Sequence, residues 1–388
     1  MGRRKKANEL KLSYYSLNRI KKCKAHYNLI FGLRSNGKTF SVQEEGIINY
    51  WTTGKQMAII RRYDVDFQGK RGHDTFSHFI NNPTRGNILA EITNGEWTDI
   101  YYFSMRWYFC RYTDKNERVR KEEPFCFAFS LAGQEHDKST SYPRITTILF
   151  DEFMTRGLYL NDEFVIFTNV LSTIIRERDD VTIYMCGNTV NKYNPYFKEM
   201  GLDNVLKMEP GDIQEYSFAV KKDPKTGKEV TLKIAVEYAD NPNPEGKPSD
   251  VYFAFNNPKL KMITNGMWEL AVYPHLPYKY KYSDIVGEYF IIWEEEILHC
   301  EIISLDDMYF TYIHSKTTPI KDNESDIVFT TEYIARPNYR RKITKPIDDI
   351  GRKIKWFYDA DKVFYQDNEI GEVVRNYLNW CISDRGFV

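Results

Sequence analysis

The chain has 388 residues with 54 basic and 54 acidic side chains, a formal net charge of +0, which argues against a simple nucleic-acid coat protein. Its 42% hydrophobic and 15% aromatic content, including 29 Tyr and 24 Phe, excludes a disordered chain and supports large, strand-rich cores. The length exceeds what one core usually fills, so two domains are expected, and the six scattered cysteines lack any C-x-x-C pair, which speaks against a zinc knuckle or disulfide scaffold and fits a reducing cytosol.

The opening "MGRRKKANEL" has neither the apolar core of a signal peptide nor the Ser/Thr of a myristoylation site, and no later run reaches membrane-spanning length. A soluble protein with no membrane partner is expected. The basic stretches "RRKK" and "RIKKCK" read as a solvated arm and a basic helix, with nucleic-acid contact left open. Next come a strand, "HYNLIF", the loop "FGLRSNGKTF" and a helix, "SVQEEGIINYW". Gly32-x-x-x-x-Gly37-Lys38-Thr39 fulfils every position of the P-loop signature, and the flanking strand and helix supply the context it needs. The glycines let the backbone turn and approach phosphates, and the backbone of Arg34, Ser35 and Asn36 is expected to line the same cradle. Lys38 is expected to reach the β/γ oxygens of ATP, and the Thr39 hydroxyl to ligate Mg²⁺.

After the P-loop, "QMAIIRRY" reads as a buried parallel strand ending in two arginines. Residues 99–131 then alternate aromatic and polar side chains around a charged tip, Lys115 to Lys121, as in an antiparallel meander inserted into or beside the parallel sheet. "RITTILF" is a doubly buried strand ending in Asp151-Glu152. Asp151 is the candidate Mg²⁺ holder, and Glu152 the carboxylate that orients and polarises the attacking water. Phe164, Phe167, Leu171, Ile174 and Ile175 fall at helical spacing, with Asn161 as the expected N-cap and Arg176 and Arg178 at the end. "VTIYMCGN" is a further buried strand, and Asn188 at its end is a candidate γ-phosphate sensor or a plain turn residue. In open α/β sheets ligands bind beyond the carboxyl ends of the strands, so Gly32, Asp151 and Asn188 should share one crevice if their strands are neighbours.

"KKDPKTGKE" reads as a hairpin turn, and the Pro/Asn/Gly-rich "ADNPNPEGKPSD" as part of a linker. The expected organisation is an α/β P-loop NTPase domain of the ASCE type over residues 1–240, a linker over 241–278, and a smaller α+β domain over 279–388. An active nuclease there would need several carboxylates on neighbouring strands to clamp two metal ions. Its first strand, "EYFIIW", has no central acid, and Glu294, Glu295 and Glu296 read as solvated turn residues.

At "LFDEF", "RERDDVTIYMCGN" and "NPYF" the sequence resembles the DNA-packaging ATPases of small phi-29-like podophages, and the likeness extends through the P-loop, the "RRY" strand end and the "SYP" stretch over most of residues 25–200. The second domain resembles that family's RNase H-like domain in size, strand order and closing helix. The resemblance implies a ring of identical subunits, usually five, under the portal of an empty procapsid, moving double-stranded DNA inward with ATP. An RNA ring can bridge motor and portal. It further implies a place in the host cytoplasm, transiently at the portal vertex, an inactive nuclease fold that binds DNA or portal, and active sites completed by the next subunit. The positions matching the family's trans-acting groups are Arg176 and Lys138, with Arg178 close behind. Composition and spacing by themselves reach a P-loop ATPase, which leaves open a ring ATPase of another branch, such as a helicase or DNA-mobilisation motor, and a nucleotide-switched scaffold.

Overall fold

The computed structural model describes residues 13–133, 140–155, 159–160, 162–189, 194–222, 229–243, 273–293, 296–306, 308–320 and 325–383. The chain divides into two compact units, Met1–Trp268 and Glu269–Val388.

In the first unit, β1 (Tyr27–Gly32) enters the P-loop and α1 (Lys38–Thr53) leaves it, ending on Gly54 in the left-handed region. β2 (Gln56–Arg61) follows, then three short helices, α2 (Lys70–Asp74), α3 (Ser77–Ile80) and α4 (Ile88–Ile92). The aromatic-rich segment forms β3 (Asp99–Phe103), β4 (Arg106–Tyr112), β5 (Arg118–Arg120) and β6 (Cys126–Ser130). Beyond it lie β7 (Ile145–Asp151), α5 (Glu163–Ile175), β8 (Thr182–Cys186), α6 (Pro195–Glu199), and the hairpin arms β9 (Ile213–Lys222) and β10 (Glu229–Ala239).

These strands make one sheet in the order β3-β4-β6-β2-β7-β8-β1-β10-β9, with β5 on β4. From β6 to β10 every neighbouring pair is parallel. Such strands are buried on both faces, which is why β7 reads as a continuous apolar run and is buried along its whole length. Alternate residues feed two cores. Leu29, Phe31, Ile148 and Phe150 meet Phe167 and Leu171 of α5 on one face, and Ile30, Ile59 and Leu149 meet Val42 and Ile47 of α1 on the other.

Two departures from the sequence reading have a common cause, that strand partners far apart in the chain leave no local signal. The meander is antiparallel only as far as the β4–β6 pair, because β6 itself runs parallel to β2 and so joins the central sheet. The second arm of the late hairpin, β10, lies directly beside the P-loop strand in parallel register, Gly32 opposite Ala239. The turn at residues 223–228 and the expected N-cap Asn161 lie outside the described residues. α5 is preceded by Asp162 in the left-handed region, whose side chain makes no capping bond.

In the second unit, β11 (Ile285–Trp293), β12 (Glu296–Leu305) and β13 (Met308–Ser315) are consecutive antiparallel strands. β14 (Val328–Thr330) pairs parallel to β11, and β15 (Tyr339–Arg340) parallel to β14. α7 (Asp349–Asp359), β16 (Val363–Tyr365) and α8 (Asn368–Ser383) complete it, giving the order β15-β14-β11-β12-β13-β16. Without β16 this is the 3-2-1-4-5 order expected of an RNase H-like sheet, and α8 packs against β11, β13 and β16. Glu296 is no turn residue: it opens β12 opposite Trp293. Glu294 and Glu295 lie outside the described residues. Part of the expected linker belongs to this unit, since the Tyr365 N–H donates to Pro274 O at 2.9 Å.

Candidate functional site: a phosphate loop facing an acidic strand end

The loop between β1 and α1 holds three left-handed residues, Gly32 at φ +144°, Ser35 at +54° and Gly37 at +95°. A Cβ on Gly32 would stand 2.6 Å from Ala239 O of β10, so the neighbouring strand itself demands glycine there. Arg34 and Ser35 are exposed, Asn36 and Lys38 are buried. The Lys38 ammonium donates to Leu33 O at 2.6 Å and Asn36 Oδ1 at 3.1 Å, and lies 3.5 Å from Asn188 Oδ1. The loop is braced from the N-terminal side, where the Tyr15 N–H donates to Asn36 O at 2.7 Å and the Ser41 hydroxyl to Tyr15 O at 2.6 Å.

One strand, β8, separates β1 from β7, and the carboxyl ends of all three are level, with Ile30 and Asp151 both opposite Cys186. Topology therefore brings Gly32, Asn188 and Asp151 to one sheet edge. Contact across that edge is direct, because the Thr39 hydroxyl donates to Asp151 Oδ1 at 2.7 Å. Glu152, the next residue, is exposed and sits at φ +59°, a costly conformation for a non-glycine residue, which turns the chain out of β7 at the site.

Arg61 and Arg62 at the end of β2 take opposite directions, as successive strand residues must. Arg61 reaches the site, its Nη2 donating to Asp151 Oδ2 at 2.7 Å. Arg62 turns inward, where Nε and Nη2 grip both oxygens of Glu163 at 2.7 Å each, while Nη2 also donates to Phe153 O and Nη1 to Glu152 O. The Tyr196 hydroxyl and the Leu160 N–H donate to the same carboxylate. Arg61 was hidden in the sequence as half of an arginine pair. His78, on α3, was missed altogether: burial pushes its imidazole below the ordinary value while Asp151 pulls it up, and its Nε2 is buried without a hydrogen-bond partner among the described residues.

The expected trans-acting groups stand elsewhere. α5 runs back along β7, so Arg178 lies at the start of that strand, donating to Ile145 O at 2.6 Å, Ile174 O at 3.2 Å and Asp180 at 3.1 Å. Arg176 is at φ +53° just past the helix and donates to Thr140 O at 2.9 Å. Lys138 lies outside the described residues.

Residues 120–208 match the family model described as Podovirus DNA encapsidation protein (Gp16). The DNA packaging protein of Bacillus phage B103 is 24% identical over 180 residues, covering 45% of this chain and 48% of its own. That of Bacillus phage phi29 is 26% identical over 180 residues, covering 44% and 45%. The chain thus spans about half the length of the curated relatives it matches. In fold it is similar over nearly its whole length to the Phi-28 gp11 DNA packaging motor, with a TM-score of 0.51, 17% identity and 97% and 99% of the two chains covered. It is likewise similar to the bacteriophage Phi-29 viral genome packaging motor assembly, with a TM-score of 0.52, 16% identity and 94% and 99% covered. The resemblance to phi-29-like packaging proteins read from the sequence is borne out, and so is the α/β fold class with its largely parallel central sheet.

Proposed function

We propose that this chain is the ATPase of a viral genome-packaging motor, hydrolysing Mg²⁺-ATP to drive double-stranded DNA into a preformed procapsid. The observation that carries the reading is the 2.7 Å bond between Thr39 and Asp151, which joins a complete phosphate loop to an acidic strand end in one crevice. The loop fits a phosphate chain: its left-handed residues present backbone N–H groups, α1 adds its positive end, and the buried Asn36 Nδ2 has no partner among the described residues. Lys38, held by carbonyl and amide oxygens, is expected to exchange them for β/γ oxygens. Thr39 and Asp151 would hold Mg²⁺, which offsets the charge developing on the transferred phosphoryl group. Glu152 polarises the attacking water, and Asn188, in reach of Lys38, reads the γ-phosphate. Arg61 then needs a new partner once Asp151 turns to the metal, and the phosphate chain itself supplies one.

Support for the packaging role comes from the family match over residues 120–208 and the relatives' packaging names. On this reading the partners are further copies of the chain in a ring, the portal and double-stranded DNA, with an RNA ring where one bridges motor and portal. The place of action is then the portal vertex in the host cytoplasm. The test is steady-state ATP hydrolysis with and without double-stranded DNA, followed by nuclease protection of DNA in cognate procapsids. Wild type is expected to hydrolyse ATP, to be stimulated by DNA and to protect it, while Lys38→Ala and Asp151→Asn lose turnover. Near-normal hydrolysis in either variant would overturn the site. Hydrolysis without any protection of DNA would leave the nucleotide site standing and remove the packaging role.

A further inference from the structure

The second unit carries a cluster that the nucleotide chemistry does not use. His299 and Glu301 are two residues apart on β12 and so share one face of the sheet, and the register sets His299 directly opposite His314 on β13. One nitrogen of each imidazole and one oxygen of Glu301 lie within 4.8 Å of one another, and the two rings are 4.8 Å apart between centroids. These side chains are partly sheltered, with 16% of His299, 12% of Glu301 and 27% of His314 exposed.

Each member is also held from outside. His314 Nδ1 lies 3.1 Å from Ser315 O, which fixes the proton on Nδ1 and leaves the Nε2 lone pair, 3.8 Å from Glu301 Oε1. The Tyr280 hydroxyl donates to the other oxygen, Oε2. His299 Nε2 lies 3.1 Å from Glu288 Oε2 on β11, and its ring stacks on Phe290. A carbonyl or carboxylate on one nitrogen of each histidine, and a hydroxyl that orients the Glu301 carboxylate, are the kind of outer partners that metal-ligating side chains ordinarily have. Ion pairing gives each imidazole one carboxylate, His299 with Glu288 and His314 with Glu301. What a shared ion adds is a reason for both imidazoles to converge on the Glu301 carboxylate, with ligand atoms of all three within 4.8 Å of one another.

We propose that His299, Glu301 and His314 bind a single divalent transition-metal ion of the Zn²⁺ kind, tying β12 to β13 and leaving one coordination position open. Bonds of roughly 2.0–2.2 Å in a tetrahedral site put ligand atoms about 3.3–3.5 Å apart, so the cluster closes on a metal by side-chain rotation within its present backbone. Two imidazole nitrogens select against Mg²⁺ and Ca²⁺, which take oxygen ligands. The open position accepts water or an oxygen donor from a partner. This is a different arrangement from the carboxylate clamp around two Mg²⁺ ions that an active nuclease requires.

The test uses the full-length chain, stripped with a chelator and free of nucleotide, titrated with Zn²⁺ in competition with a chromophoric chelator, and separately with Co²⁺ as a spectroscopic probe. Wild type is expected to bind one equivalent of Zn²⁺ that a thousandfold excess of Mg²⁺ does not displace. Co²⁺ should give ligand-field bands without the near-ultraviolet absorption of a thiolate ligand. His314→Ala and Glu301→Gln should each lose binding, and Glu288→Gln should weaken it about 10–100-fold, as loss of an outer partner does. Asp151→Asn should bind as wild type does, which separates this site from the P-loop acid. Equal Zn²⁺ binding by wild type and folded His314→Ala, displacement by Mg²⁺, or thiolate bands would overturn the proposal. Should the histidine variant fail to fold, the wild-type stoichiometry and Co²⁺ spectrum decide.

Discussion

In the proposed division of labour, with Asp151 to hold Mg²⁺ and Glu152 to polarise water, the two carboxylates must point in different directions, and a straight strand supplies this at the cost of pointing Glu152 away from the crevice. The left-handed turn at Glu152 redirects the chain just where β7 ends. The strain of about 1–3 kcal/mol that such a residue stores persists because Arg62 holds the Glu152 and Phe153 carbonyls from behind. With the backbone so held, Glu152→Gln should leave nucleotide affinity within about twofold while lowering turnover about 10²–10⁴-fold, the usual worth of a general base. Binding of a fluorescent ATP analogue beside steady-state hydrolysis checks it, and parallel loss of both would make Glu152 a structural residue. At this scale the phosphate loop was legible because its signature is contiguous, from Gly32 to Thr39. Arg61 was not, because which of two adjacent arginines faces a site depends on the phase of β2 against strands distant in sequence.

The ion pair between Arg62 and Glu163 works at the level of elements, joining the end of β2, the β7–α5 loop, the first turn of α5 and, through Tyr196, α6. Its side chains are 7% and 0% exposed, so removing one partner leaves a charge with neither water nor counter-ion. Arg62→Ala is expected to cost about 3–5 kcal/mol, read as a lowered midpoint in chemical denaturation. The paired replacement Arg62→Met with Glu163→Leu should recover most of that loss, because no buried charge then remains. A single variant as stable as wild type would show that water reaches the pair. The pattern of apolar residues predicted α5 well, yet it gave no hint that Glu163 is turned inward, since a glutamate in a first helical turn is ordinarily solvated and favourable there. Likewise each strand was readable from its own residues, whereas the place of β10 beside the P-loop was not.

At the scale of the assembled molecule the decisive fact is the direction of α5. It carries Arg176 and Arg178 back to the start of β7, while Asp151 stands six residues further along, roughly 20 Å at a strand's rise per residue. Neither arginine can serve the site at the far end of its own strand, so a catalytic role requires a second subunit. The two are not equivalent. The Arg178 side chain binds the Ile174 and Ile145 carbonyls at the helix end, whereas the exposed Arg176 side chain, among the described residues, reaches Thr140 O. A local role for Arg176 is worth at most about 1 kcal/mol and its loss would barely touch catalysis. An arginine supplied to a neighbour's γ-phosphoryl group is worth about a thousandfold or more in rate. Arg176→Ala is therefore expected to fold, bind ATP and assemble, yet to hydrolyse poorly. Mixed with Lys38→Ala subunits it should regain turnover, because the intact pocket of one variant then meets the intact arginine of the other. The measurement is ATPase rate against mixing ratio, with each pure variant as baseline and co-purification of differently tagged subunits to demonstrate mixed assemblies. A rate that rises to a maximum at intermediate ratios assigns Arg176 to the neighbour's site; mixed assemblies no faster than the weighted sum of the baselines would return it to its own subunit.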